Sequence, residues 1–169
     1  MHRLKGFALF ASAFLAIASP GHAAVEVVFS HPETYSDASL YNGYGAKAQE
    51  PALRGIREHL QRLGERYLKP GDRLEVEVLD IDLAGRFEWW RPYAYDVRIL
   101  RDITWPRMKL RYVLDENGRR IACPEEFVSD QAYLMKAAMR SSMDPLKYEK
   151  SMLDDWFRAR IARKGGCSK

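Results

Sequence analysis

Apolar and polar positions recur along this chain in two rhythms, and each change of rhythm marks an element. Residues 25–29 form a short apolar run rich in β-branched side chains, closed by Ser30, His31 and Pro32, which predicts a strand. The polar stretch 30–49, with Gly43 and Gly45, predicts an ordered loop. Pro51 then opens a helix. Leu53, Ile56, Leu60, Leu63 and Tyr67 line one face of it, with Arg54, Arg57, Glu58, Gln61, Arg62 and Glu65 on the other, and Lys69, Pro70 and Gly71 end it.

The period next shortens to that of a strand. Leu74, Val76 and Val78 alternate with Glu75 and Glu77, so one face is buried and the other wet. At Leu79 the phase slips, after which Ile81 and Leu83 take the apolar places and Asp80 and Asp82 the polar ones, which predicts a β-bulge. Beyond Gly85 comes a loop carrying Trp89, Trp90, Tyr93 and Tyr95, and then strands over 96–102 and 108–114. Asp115, Glu116, Asn117 and Gly118 make a hairpin turn into a strand over 120–123, because Asn and Gly tolerate the positive φ that such turns require. Asp130 caps a helix to about Arg140, with Tyr133, Leu134, Ala137 and Ala138 as its apolar face. Asp144 and Pro145 start a last helix, with Leu146, Leu153, Trp156, Phe157 and Ile161 as its buried stripe. These elements predict a single α+β domain over residues 24–169. Its sheet, antiparallel or mixed, has about five strands, with about three helices packed on one face.

The first residues change the setting. Arg3 and Lys5 precede the uncharged run 6–18, then Pro20, Gly21, Ala23 and Ala24, the layout of a signal peptide over residues 1–23 with cleavage near Ala23. The run falls short of the roughly 20 residues that span a hydrocarbon core, and no later segment reaches that length. The expected product is therefore periplasmic or secreted, with no integral membrane segment after cleavage. Arg3 and Lys5 are among the 27 basic residues set against 23 acidic ones, so trimming leaves a chain close to neutral. Nucleic acid is accordingly not an expected partner, since phosphate binding needs a concentrated basic excess. Both cysteines, Cys123 and Cys167, remain in the trimmed chain, and an oxidising compartment favours their pairing.

Two groups of residues are candidates for chemistry. Asp80 and Asp82 leave the same face of a strand, roughly 7 Å apart, which suits paired carboxylates in glycoside cleavage or around a divalent ion. The plainer reading makes them a wet strand face that pairs with Arg86 or Arg98. Trp89, Trp90, Tyr93 and Tyr95 form a loop cluster able to stack on sugar rings or a partner's apolar surface, or else to fold over the sheet edge as a small core. His31, Glu33 and His59 are too few to be the ligands of a zinc site, and no nucleophile elbow is present, so neither metal nor cofactor is expected. The expected function is non-catalytic binding or envelope maintenance, with an envelope protein or glycan as partner. The rival reading is an envelope-glycan hydrolase using Asp80 and Asp82.

Four stretches carry a family likeness: 29–38 (FSHPETYSDA), 67–86 (YLKPGDRLEVEVLDIDLAGR), 97–106 (VRILRDITWP) and 148–157 (YEKSMLDDWF). In these the chain resembles the secreted bacterial family known as domain of unknown function 3016. The resemblance implies a single secreted domain and assigns no activity.

Overall fold

A computed structural model describes residues 23–43, 45–91, 93, 95–163 and 167; of the expected leader only Ala23 falls within them. The first strand, β1 (Ala24–Phe29), runs parallel to β2 (Arg73–Asp82), and helix α1 (Ala46–Tyr67) makes the crossover between them. Two short strands, β3 (Arg86–Phe87) and β4 (Arg98–Ile99), pair antiparallel as a separate ribbon. Strands β5 (Arg107–Glu116) and β6 (Arg119–Ser129) form an antiparallel hairpin, and β5 also pairs antiparallel with β2. The main sheet is thus mixed, four strands in the order β1-β2-β5-β6. Helix α2 (Lys147–Phe157) follows and widens into a π turn over Arg158–Ala162. No helix among the described residues is long and apolar enough to cross a membrane.

The core lies on one face of this sheet. Leu74, Val76 and Val78 of β2 and Leu110, Tyr112 and Leu114 of β5 are buried beneath Ile56, Leu60 and Leu63 of α1 and Leu153, Trp156 and Phe157 of α2. Each fully buried Leu or Ile contributes roughly 1.5–3 kcal/mol. Gly64 lets α1 settle close to β1, since a Cβ there would stand 2.1 Å from Val25 Cγ2. The opposite face stays wet and is laced by ion pairs, among them Arg111 to Glu77 at 2.6 Å and Lys109 to Glu125 at 2.5 Å. The alternation of Leu74 to Val78 with Glu75 and Glu77 is therefore a real division between core and solvent.

The slip at Leu79 is a bulge, with the β2–β5 register shifting between Val78 and Asp80. The hairpin turn also forms as expected, with Asn117 at φ 52° and Gly118 at φ 91° between Glu116 and Arg119. Cys123 and Cys167 are joined by a disulfide, Cα to Cα 5.2 Å, which ties the chain end to β6.

Several expectations are corrected. Of the strand expected over 96–102 only Arg98–Ile99 is extended, and it pairs with β3 outside the main sheet, so that sheet has four strands instead of five. The helix expected from Asp130 to Arg140 is two 3-10 turns, Tyr133–Met135 and Ala137–Met139, leaving two α-helices among the described residues instead of three. There the Asp130 carboxylate accepts the N–H of Ala132 at 3.2 Å and pairs with Lys136, while the Tyr133 hydroxyl donates to the Arg101 carbonyl at 2.7 Å. The Asp130 bond is local and competes with a continuous helix, while the Tyr133 bond ties the segment to distant chain. Strand β6 runs on to Ser129 past Pro124 because Leu110 faces Glu126 while Tyr112 faces Cys123, which puts Pro124 and Glu125 in a bulge on an edge strand. Helix α1 starts at Ala46, so Pro51 lies inside it and not at its first position.

Candidate functional site

After β1 the chain turns through the 3-10 turn Pro32–Thr34 and then lies alongside the far end of β2. Asp37 N–H donates to the Ile81 carbonyl at 2.8 Å, and Leu83 N–H donates to the Asp37 carbonyl at 2.9 Å. Two side chains fasten this strap. The buried Tyr35 hydroxyl donates to the Val78 carbonyl at 2.7 Å, and the Asp80 carboxylate accepts Ser36 N–H and Oγ–H at 2.7 and 2.8 Å. Burial, with Asp80 and Glu77 nearby, pushes the Tyr35 phenol far above its ordinary value, so it acts as a fixed donor.

The β3–β4 ribbon faces the strap. Gly85, at φ 80°, lets the chain pack closely at the base of the ribbon, because a Cβ there would stand 2.7 Å from the Ile99 carbonyl. Arg98 reaches across and donates to both Asp37 oxygens at 2.8 and 3.0 Å, and to the Ser39 and Gly85 carbonyls at 2.6 and 2.8 Å. Its guanidinium lies 4.8 Å from the centre of the Phe87 ring. Arg86 bridges two acids, Asp37 at 3.2 Å and Asp82 at 3.0 Å, and Arg107 closes on Asp82 at 2.6 Å. Asn42 donates from Nδ2 to the Tyr95 carbonyl at 3.0 Å and joins strap to ribbon a second time.

Between strap and ribbon opens a cleft of about 420 Å³, with Ser36, Asp37, Asn42 and Arg86 as polar lining and Trp89 and Tyr95 as aromatic lining. That volume falls within the roughly 300–1,000 Å³ of ligand sites. Trp89 is 80% exposed, and Trp90 meets it edge-on at 5.7 Å. Beneath this turn Glu88 is buried and paired with Arg101 at 2.7 Å and with Arg91. Burial opposes ionisation of Glu88, yet Arg101 and Arg91 together hold its carboxyl below the usual carboxylate range.

The residues singled out in the sequence separate into distinct places. Trp89 and Tyr95 reach the cleft, whereas Trp90 and Tyr93 are exposed and are not among the residues lining it. All four stand in solvent, so they form no small core over the sheet edge. Asp80 is committed to Ser36, and Asp82, 4% exposed, to Arg86 and Arg107. The pairing with Arg86 foreseen for these acids is thus made by Asp82. The His31 ring meets Glu33, at 3.3 Å, on the surface. His59 sits against Asp154 and the Lys150 carbonyl, both at 3.1 Å, and burial lowers its pKa despite the nearby acid. The sequence reading overlooked Ser36, Asp37 and Asn42, which lie in irregular chain where periodicity gives no signal. A second cleft of about 420 Å³, between β6 and α2, is lined by Glu126, which already accepts the Trp156 indole N–H at 2.5 Å and pairs with Arg160.

A model of the family described as "Protein of unknown function (DUF3016)" matches residues 23–159. No curated protein and no solved structure matches the chain.

Proposed function

We propose a binding function for this chain, which belongs to the DUF3016 family of proteins of unknown function. The reading is of an exported, non-catalytic module that takes a saccharide of the cell envelope into the cleft between strap and ribbon. One observation carries it: Trp89 and Tyr95, both strongly exposed, stand on the wall of a cleft whose lining also carries hydroxyl, amide, carboxylate and guanidinium groups. Aromatic faces take the apolar faces of sugar rings, and the polar groups around them match ring hydroxyls.

Binding without cleavage is supported by the way three nearby acids are engaged. Asp37 is held by Arg98 and Arg86, Asp82 by Arg86 and Arg107, and Asp80 by the Ser36 amide and hydroxyl. Glycoside cleavage needs two carboxyl groups facing one bond, with one free to pass a proton, and these three are engaged in holding the walls together. Export is supported by the signal layout of residues 1–23 and by the Cys123–Cys167 bond, since disulfides persist in oxidising compartments.

The test is a fluorescence titration of the trimmed protein with N-acetylglucosamine oligomers and soluble peptidoglycan fragments. Saturable change in tryptophan emission is expected. Trp89→Ala should weaken binding about tenfold, equivalent to ~1.4 kcal/mol, with no change in Tm because the side chain is exposed. Equal affinity of Trp89→Ala and wild type, or no binding to any of these sugars, would overturn the reading. Release of reducing ends that disappears in Asp82→Asn would replace it with the hydrolase.

A further inference from the structure

The cleft holds a polar group that the fold leaves unused. Gln49, near the start of α1, is 9% exposed and lines the cleft, yet its carboxamide has no hydrogen-bond partner among the described residues. Its polar atoms are not sealed off either. Other polar lining groups are committed: Ser36 to Asp80, Asp37 to Arg98 and Arg86, Arg86 to Asp37 and Asp82, and Asn42 to the Tyr95 carbonyl. An amide buried this far without a partner lowers stability, and a ligand that supplies the partner restores the loss.

A second feature meets Gln49 there. Helix α1 begins at Gly45, which also lines the cleft; no side chain caps this end, and no acidic residue stands in the first turn. Free N–H groups and the positive end of a 22-residue helix dipole therefore open at the cleft. Helix side chains lean toward the N-terminus, so the Gln49 carboxamide and those N–H groups converge. Together they call for an acceptor and a donor. The acceptor is uncharged, because Glu33 and Asp37 put carboxylates in the same lining and the Arg86 guanidinium is already shared between Asp37 and Asp82.

We infer that Gln49 and the start of α1 read the acetamido group of an N-acetylated sugar. The inference rests on the saccharide reading of the cleft and narrows it. An acetamido group carries its acceptor and donor on different atoms: the carbonyl takes the N–H groups of the helix start, and the N–H gives to Gln49 Oε1. Ala38 and Phe87 add apolar lining for its methyl. A ring hydroxyl offers both abilities on one oxygen and brings no methyl.

The experiment titrates the trimmed protein, by tryptophan emission, with trimers of N-acetylglucosamine, of β-1,4-linked glucose and of galacturonic acid. The first two differ only in the acetamido group. The N-acetylglucosamine trimer should bind roughly tenfold tighter than the glucose trimer, since a site built to hydrogen-bond one group rejects the analogue lacking it. Gln49→Met, similar in size and helix propensity, should bring the two affinities within about twofold. It should bind the glucose trimer as wild type does, which also shows that it folds. Gln49→Glu keeps an acceptor at the same reach and should hold an intermediate preference. Equal wild-type affinity for these two trimers would overturn the inference and leave the saccharide reading standing. So would a Gln49→Met protein that keeps the full preference, or a Gln49→Glu protein that falls as low as Gln49→Met. Tightest binding of the galacturonic acid trimer would overturn it too, assigning the helix start to an anion. Binding of no trimer would overturn both readings.

Discussion

Arg98 holds Asp37 across 61 positions of the chain, its two terminal nitrogens 2.8 and 3.0 Å from the two carboxylate oxygens. The arginine side chain is 13% exposed and the aspartate 16%, so both charges have left bulk water. Removing Arg98 leaves Asp37 with Arg86 as its remaining cation, and removing Asp37 leaves Arg98 with the Ser39 and Gly85 carbonyls but no carboxylate. Arg98→Ala should cost about 3 kcal/mol, and the double variant Arg98→Ala, Asp37→Ala less than the sum of the singles. Chemical denaturation of the four proteins in the cycle measures this. Additive losses would mean that the fork contributes nothing as a pair.

Gly85 sets the spacing of the ribbon. Its φ of 80° and the 2.7 Å approach to the Ile99 carbonyl leave no room for a side chain. Gly85→Ala should destabilise by roughly 1–3 kcal/mol and lower sugar binding by distorting the turn between Ala84 and Arg86. Gly45, also at positive φ but with nothing within 4 Å of the added carbon, is the control. Gly45→Ala should show the smaller loss in the same melts.

The disulfide closes a loop between positions 44 apart. Replacing both cysteines by serine should cost about 4 kcal/mol in the chain-entropy description. The pair joins β6 to a chain end outside α2, so the sheet and both helices should survive reduction in a circular dichroism spectrum while Tm falls.

Glu149 gives the pH dependence a sign. It is buried in α2, one oxygen accepting Ala84 N–H at 2.7 Å and the other without a hydrogen-bond partner. Burial pushes its carboxyl above the ordinary 4.5, with the Ala84 bond and Arg98 opposing. A raised folded value means that the folded chain keeps a proton which the unfolded chain releases first. The Glu149 contribution is therefore full below the ordinary 4.5 and is lost as pH climbs through the folded value. Glu149→Gln should match wild type in acid and gain on it progressively above that point, as read from melts across a pH series. Parallel profiles would remove Glu149 as the source.

The parts legible from sequence were those governed by local rules. The bulge at Leu79 shows as a slip in a two-residue period, and the Asn117–Gly118 turn follows from the backbone freedom of those two residues. The segment after Asp130 misled because a good capping residue precedes a helical pattern, while the contacts that decide it, Tyr133 with Arg101 and Lys136 with Asp155, come from distant chain. The strand expected over 120–123 fell short of Ser129 because a sequence does not say which strand is at the edge, where Pro124 is tolerated. In the cleft, the aromatic residues announced themselves by crowding. Asp37 and Asn42 did not, since their importance depends on Arg98 and Tyr95, brought beside them only by the completed fold.

Asn42 and Tyr95 come from opposite banks of the cleft, 53 positions apart, and are bonded to each other. Filling that gap and keeping the two banks together are consequently a single equilibrium. Whatever molecule settles between them must also resist their parting, with a strength set by RT ln(1 + [L]/Kd), so occupancy would register as rigidity before it registered as any chemical event.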